Sequence, residues 1–203
     1  MNMNDLTKLG KELECSKSIL HLYTEFYGRL LLPFRELYTD VLEIGVQDGR
    51  SLLLWSKFFP NATICGIENL LYHKRVGTGF SGEVLGDDRI DIYIEDAYQS
   101  YMIETLGHEG KNFDLILDDG SHKPKDQLFM LNNYVDLLKQ DGMLLIEGLV
   151  NMGAAYFVAE NFTGDKTRLS IIDRRLSPTP RSVNDNEKEI YDSNFDEIIL
   201  IYM

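Results

Sequence analysis

The sequence predicts an α/β fold: a mostly parallel, seven-stranded sheet with an antiparallel last strand and helices on both faces. Three observations carry this. From residue 40 onward short apolar runs alternate with amphipathic stretches, the pattern of strand–helix units that build a parallel sheet. The rhythm then breaks, because the apolar runs 168–173 and 195–202 are separated by sequence rich in Pro, Ser, Asn and Asp, and strands without a crossover helix pair antiparallel. The third is length: 203 residues suffice for one well-buried core and are few for two. We read a single domain, 1–203, with a helical cap over 1–38 and the α/β core over 39–203.

Along the chain, residues 5–32 place apolar side chains at helical spacing. Ile19, Leu20, Tyr23, Phe26, Tyr27 and Leu30 form one face of one or two helices, expected to pack across the edge or mouth of the sheet. After Pro33 strands are read at 40–45, 63–67, 90–94, 113–117 and 142–147, ahead of the two terminal ones. Helices are read between them at 51–58, 97–106, 124–138 and 152–162.

Composition narrows the partners. Hydrophobic residues at 44% and charged residues at 26% describe a chain that folds. A net charge of −13 opposes a phosphate backbone and so disfavours a nucleic-acid partner. Arg168, Arg174, Arg175 and Arg181 cluster loosely, either touching an anionic ligand or forming a solvated surface. Cys15 and Cys65 lie far apart, and Cys65 sits in a run read as a buried strand, so no disulfide is expected. No apolar stretch is long enough to span a bilayer and the N-terminus lacks the regions of a signal peptide. The expected setting is cytoplasmic, without a membrane partner; homo-oligomerisation is left open.

The run Val41-Leu42-Glu43-Ile44-Gly45-Val46-Gln47-Asp48-Gly49-Arg50-Ser51 is a strand entering a glycine-punctuated turn and then a helix. Gly45 admits a ligand close to the backbone, Gly49 allows a turn that a side chain would block, and Ser51 can cap the helix. The spacing E-x-G-x-x-x-G departs from the dinucleotide pattern G-x-G-x-x-G and favours S-adenosylmethionine; the same glycines also suit a purely structural turn. Glu68-Asn69 ends the second strand with an acid suited to ribose hydroxyls or to capping a helix. Asp96-Ala97-Tyr98 follows the third, with Asp96 either accepting from an adenine amino group or capping the helix at Ala97. The candidate cofactor residues are thus Glu43, Gly45, Val46, Gln47, Gly49, Ser51, Glu68, Asn69, Asp96, Ala97, Tyr98 and Asp118.

The fourth strand ends in Asp118-Asp119-Gly120-Ser121-His122 and the fifth in Glu147. Neighbouring strand ends of a parallel sheet lie side by side, so Asp119, His122 and Glu147 can converge on one pocket. Taken singly, an Asp-Asp pair is usually a solvated loop and a lone His usually structural.

These residues carry a resemblance. The run Leu42-Glu43-Ile44-Gly45-Val46 through Ser51-Leu52 and Trp55, then Phe59-Pro60-Asn61-Ala62 and Gly66-Ile67, resembles the macrolide-sugar O-methyltransferase and cephalosporin-methoxylation group. So do Asp-Asp-Gly-Ser-His after the fourth strand and His21-x-Tyr23-x-x-x-Tyr27 before the first. The resemblance implies a Rossmann-like class I fold and S-adenosylmethionine-dependent methylation of a hydroxyl on a glycan or glycosylated metabolite. It also implies Asp119 and Glu147 as Mg²⁺ ligands and His122 as the base. The sequence departs where an acid should follow Glu147: Gly148 stands there, and water, Asp118, weak binding or a metal-free reaction would have to make up the difference. Two rival readings are a catalytically idle binding or scaffold subunit, and an NAD-linked oxidoreductase or epimerase, which the glycine spacing and the antiparallel ending disfavour.

Overall fold

The computed structural model describes residues 5–70, 79–174 and 198–203. Within them seven strands form one sheet: β1 (Asp40–Ile44), β2 (Thr63–Ile67), β3 (Ile90–Tyr93), β4 (Phe113–Asp118), β5 (Leu138–Ile146), β6 (Leu169–Asp173) and β7 (Ile198–Tyr202). Their order across the sheet is β3-β2-β1-β4-β5-β7-β6. The first five run parallel, and β7 is antiparallel to both β5 and β6, as expected for the last strand. Residues 195–197 of the last predicted strand, with Arg175 and Arg181 of the loose basic patch, lie outside the described residues.

The N-terminal region forms α1 (Asp5–Glu12), α2 (Ser16–Ile19) and α3 (Tyr23–Leu31), followed within the core by α4 (Arg50–Phe58), α5 (Gly82–Leu85), α6 (Ser100–His108), α7 (Pro124–Tyr134) and α8 (Met152–Asn161). The expected single apolar face over residues 19–30 is broken. Leu22 takes a left-handed φ of 52° between α2 and α3, so Ile19 and Leu20 face solvent while Tyr23 and Tyr27 are buried. A periodic stripe cannot register such a break, because nothing in its spacing marks the turn. The helix read at 124–138 likewise ends at Tyr134 and passes through a 3₁₀ turn into a longer β5.

Strand alternation divides the core in two. Val41, Ile64, Leu115, Leu117 and Leu145 face α1, α3 and α4, whereas Leu42, Ile67, Ile116, Leu144 and Ile146 face α6, α7 and α8. Both faces are covered, which is why these strands read as continuous apolar runs rather than alternating ones. The same period of two decides where the acids go. Glu43, Asp119 and Glu147 fall on the side of Val41, Leu117 and Leu145, beneath the N-terminal helices, while Asp118 falls on the side of Ile116. Cys15 and Cys65 are both free and buried. No helix among the described residues is long and apolar enough to cross a membrane.

At the opposite end of the sheet Asp114 ties three strands together. Its Oδ2 accepts from the amides of Thr39 (2.7 Å) and Asp40 (2.9 Å) and from Lys139 Nζ (2.8 Å). Burial presses its pKa upward, but Lys139 and the two amides outweigh it and hold the carboxyl below its ordinary value. A depressed carboxylate contributes stability above its unfolded pKa of about 3.9 and loses it as pH falls through the folded value. Asp114→Ala should therefore cost about 1.5–3 kcal/mol at pH 7, the range for hydrogen bonds to charged groups. Urea melts should show the gap to the wild type narrowing as the pH drops below about 4.

Candidate active site

Gly45, Glu68, Asp119 and Glu147 each stand one residue beyond the last paired position of β1, β2, β4 and β5, forming a row along the carboxyl edge of the sheet. Their backbones are stitched together: Asp119 N donates to Ile44 O (2.9 Å), Gly45 N to Ile67 O (3.0 Å) and Glu147 N to Asp118 O (2.9 Å). Gly45 has φ +80°, and a Cβ there would lie 2.3 Å from the Asp119 carbonyl oxygen. Only glycine lets the two loops pass this closely. Gly49, at φ +83°, precedes α4, which starts at Arg50. Ser51 thus lies inside the first turn and caps nothing; its hydroxyl faces Glu43.

Glu68 is buried under this turn, Oε2 accepting from Gln47 N (2.9 Å) and Oε1 from Leu70 N (3.1 Å). Val46 is buried, whereas Gln47 and Asn69 are exposed at the rim. Asp96 does not cap a helix, since α6 begins at Ser100; its oxygens accept instead from Tyr98 N (3.0 Å) and Gln99 Nε2 (3.1 Å). The predicted start at Ala97 misplaced the helix because that turn folds around Asp96 first. Ala97 is buried, and its carbonyl accepts from the Tyr134 hydroxyl (2.8 Å).

Tyr98 crosses from this turn to the end of β4. Its hydroxyl donates to Asp118 Oδ1 (2.6 Å) and accepts from Ser121 N (2.9 Å), while Gly120 N adds a bond to the same Oδ1 (3.2 Å). Asp118 Oδ2 has no hydrogen-bond partner among the described residues. Burial, only partly offset by Tyr98, raises the Asp118 carboxyl to about 6.

On the other side of the sheet the carboxylates converge on a residue that sequence reasoning passed over. Lys17 Nζ, on α2, donates to Asp119 Oδ2 (2.7 Å) and to Glu147 Oε2 and Oε1 (2.8 and 2.9 Å), and lies 3.2 Å from Glu43 Oε1. Lys17 is 1% exposed, Glu43 and Glu147 0%. Burial works against the ammonium, yet Asp119, Glu147 and Glu43 together hold its pKa well above the ordinary value. Burial also pushes Glu147 upward, against the pull of Lys17 and of the Tyr27 hydroxyl, which donates to its Oε1 (2.6 Å). No local motif connects Lys17 to acids 102 and 130 positions away. The usable signal was indirect: two acids, Asp119 and Glu147, assigned to one pocket call for a cation.

His122 has a left-handed φ of 56°, and its Nε2 lies 3.7 Å from Asp119 Oδ1. Its ring rests on Gly148, where a Cβ would come within 2.3 Å of Nδ1 at a φ of +63°. The donor set that the resemblance assigns to Mg²⁺ therefore does not fit one in this arrangement. An ammonium fills the space between Asp119 and Glu147, the imidazole covers the position of the missing acid, and Asp118 points to Tyr98 on the opposite side. Among the described residues no group of three or more His, Cys, Asp or Glu side chains is arranged to hold a metal ion.

The fold is that of the class I methyltransferases, and the site occupies the carboxyl edge where such open sheets bind ligands. No known protein-family profile matches the chain. It is similar to curated O-methyltransferases, several of them named for sugar-bearing substrates. One is the 8-demethyl-8-(2-methoxy-alpha-L-rhamnosyl)-tetracenomycin-C 3'-O-methyltransferase of Streptomyces olivaceus, 26% identical across 71% of this chain and 37% of that protein. Another is the mycinamicin VI 2''-O-methyltransferase of Micromonospora griseorubida, 28% identical across 58% of this chain and 29% of that protein. Among solved structures, MycE methyltransferase in complex with Mg, SAH and mycinamycin VI superposes with a TM-score of 0.61 at 25% identity, across 79% of this chain and 42% of that one. The chain thus spans well under half the length of these relatives.

Tyr98 offers a direct test of how the edge is held. Tyr98→Phe removes one of the bonds to a buried carboxylate that already has an unpaired oxygen, and should cost about 1–3 kcal/mol in urea melts. Adding Asp118→Asn removes the buried charge and should recover part of that loss.

Proposed function

We propose that this chain is an S-adenosylmethionine-dependent O-methyltransferase acting on a sugar hydroxyl of a glycosylated metabolite, with His122 as general base. The observation that carries the reading is the row of strand ends. It sets a tight glycine turn backed by Glu68 beside an Asp119–His122 pair, in a chain similar to sugar O-methyltransferases. Each Glu68 oxygen accepts one amide and retains a lone pair for a ribose hydroxyl. Asp96 supplies an acceptor for an adenine amino group, and Tyr98, its hydroxyl committed, supplies only its ring. Asn69 and Gln47 complete the rim, with Ala97 buried beneath it.

In the reaction the acceptor oxygen forms a bond to the sulfonium methyl carbon as the S–C bond breaks, its electron pair passing to sulfur. His122 takes the hydroxyl proton at Nε2, since Nδ1 is buried against Gly148, and Asp119, 3.7 Å from Nε2, stabilises through its charge the imidazolium that results. Most of the acceleration comes from holding the oxygen behind the methyl carbon. The charge of −13 suits a cationic cosubstrate and a neutral acceptor and opposes a nucleic acid. Gly148 and the filled carboxylate cluster favour one alternative, an idle subunit that binds the cosubstrate without turning it over.

Calorimetric titration with S-adenosylhomocysteine, with NAD as control, tests the cofactor: the former should bind and the latter should not. Glu68→Ala should weaken that binding by about 1.5–3 kcal/mol, and unchanged affinity would remove Glu68 from the site. Chemistry is tested at His122, with mycinamicin VI and rhamnosylated tetracenomycin C as trial acceptors. His122→Ala should keep cofactor affinity and lower single-turnover rate by about 10²–10⁴-fold. A variant with a reduced melting temperature but full activity per folded molecule would sink the assignment of the base.

A further inference from the structure

We infer that the Lys17 ammonium is the resident cation of this active site, standing where the resemblance places a divalent metal, so that the Asp119–Glu147 pair is held together without one. The inference deepens the methyltransferase reading and rests on it for the site's role, but its geometry is independent of that reading.

Four observations support it. Lys17 Nζ contacts both residues assigned as metal ligands, at 2.7 and 2.8 Å, so a divalent ion and the ammonium cannot occupy the space together. A third carboxylate, Glu43, forms an ion pair with the ammonium at 3.2 Å, beside the hydrogen bonds to Asp119 and Glu147. The acid that would bring a further negative charge is Gly148, and the His122 ring fills its place. Finally, Lys17 is delivered by a built platform. The Tyr23 ring lies 6.0 Å from Nζ, Tyr27 shares Glu147 with it, and Arg174 anchors the segment between α2 and α3 by donating to the carbonyls of His21 and Leu22.

Lys17 is a positioning residue, since its hydrogen bonds go to Asp119 and Glu147 and its buried side chain is closed to the crevice. By holding Asp119 Oδ2 it leaves Oδ1 3.7 Å from His122 Nε2, the ring nitrogen that is not buried against Gly148. A metal in the same place would claim Asp119 as a ligand instead.

The test is Mn²⁺ binding followed by electron paramagnetic resonance, with melting temperature and S-adenosylhomocysteine affinity measured on the same samples. Metal-stripped wild type should bind no stoichiometric Mn²⁺, show no Mn²⁺-dependent rise in Tm, and bind S-adenosylhomocysteine equally with chelator or with Mg²⁺. Lys17→Ala should acquire a stoichiometric Mn²⁺ site that restores its lowered Tm and is lost again in Lys17→Ala/Glu147→Gln. Stoichiometric Mn²⁺ binding by the wild type, abolished by Glu147→Gln, would overturn the inference, as would a folded Lys17→Ala protein that binds none. If Lys17→Ala does not fold, the wild-type titration decides alone. Failure of S-adenosylhomocysteine to bind any sample would count against the methyltransferase reading and leave the cation assignment to the Mn²⁺ result.

Discussion

One ammonium group sets the terms for the active end of this molecule. Strand alternation delivers Glu43, Asp119 and Glu147 to the same face of the sheet, and two of them are wholly enclosed. Carboxylates in that position carry a desolvation penalty of several kcal/mol each unless a cation meets them. Lys17 meets all three, and it reaches them only because α1, α2 and α3 fold across the mouth of the sheet. The N-terminal helices are thus a structural requirement of the acids, and not an appendage to the core. Removing one partner of such a buried cluster typically costs about 3–5 kcal/mol, so the N-terminal helices and the carboxyl edge of the sheet stand or fall together.

That coupling extends to the other end of the chain. Arg174, just past β6, donates to the carbonyls of His21 and Leu22 and lies 4.5 Å from the centre of the Tyr23 ring. It therefore braces the left-handed turn at Leu22 that separates α2 from α3. Without that turn a single helix would run through residues 16–31, and Lys17 and Tyr27 would not both face Glu147. The strained residue and the arginine that supports it serve the same contact.

Most of the sheet was legible because buried parallel strands leave unbroken apolar runs, and those runs survive any change of loop. The strand-end acids were legible for the same reason: each follows such a run directly. The ends of elements were less so. Ser51 and Asp96 both looked like helix caps, yet α4 starts behind Gly49 in a left-handed conformation and α6 starts after a turn closed by Asp96 itself. In both places local polar bonding around the turn decided the boundary, and spacing carries no record of it. Lys17 was invisible for a different reason. A lysine in a short polar helix reads as a surface residue, and its burial is imposed by groups more than a hundred positions distant.

Gly148 was noticed as a gap in a ligand set, but its surroundings give it a second meaning. With glycine at φ +63° the chain leaves β5 in a conformation closed to most side chains, and His122 takes up the space with its ring against the backbone. An acid at 148 would therefore displace the imidazole and add a further carboxylate to a cluster that one ammonium already shares among three. A single positive charge is already outnumbered three to one by these acids and would hold a fourth still less well, whereas a divalent ion brings twice the charge. Lysine at 17 and glycine at 148 are accordingly matched: one ammonium stands among three carboxylates, no acid follows Glu147, and the His122 ring lies against the glycine.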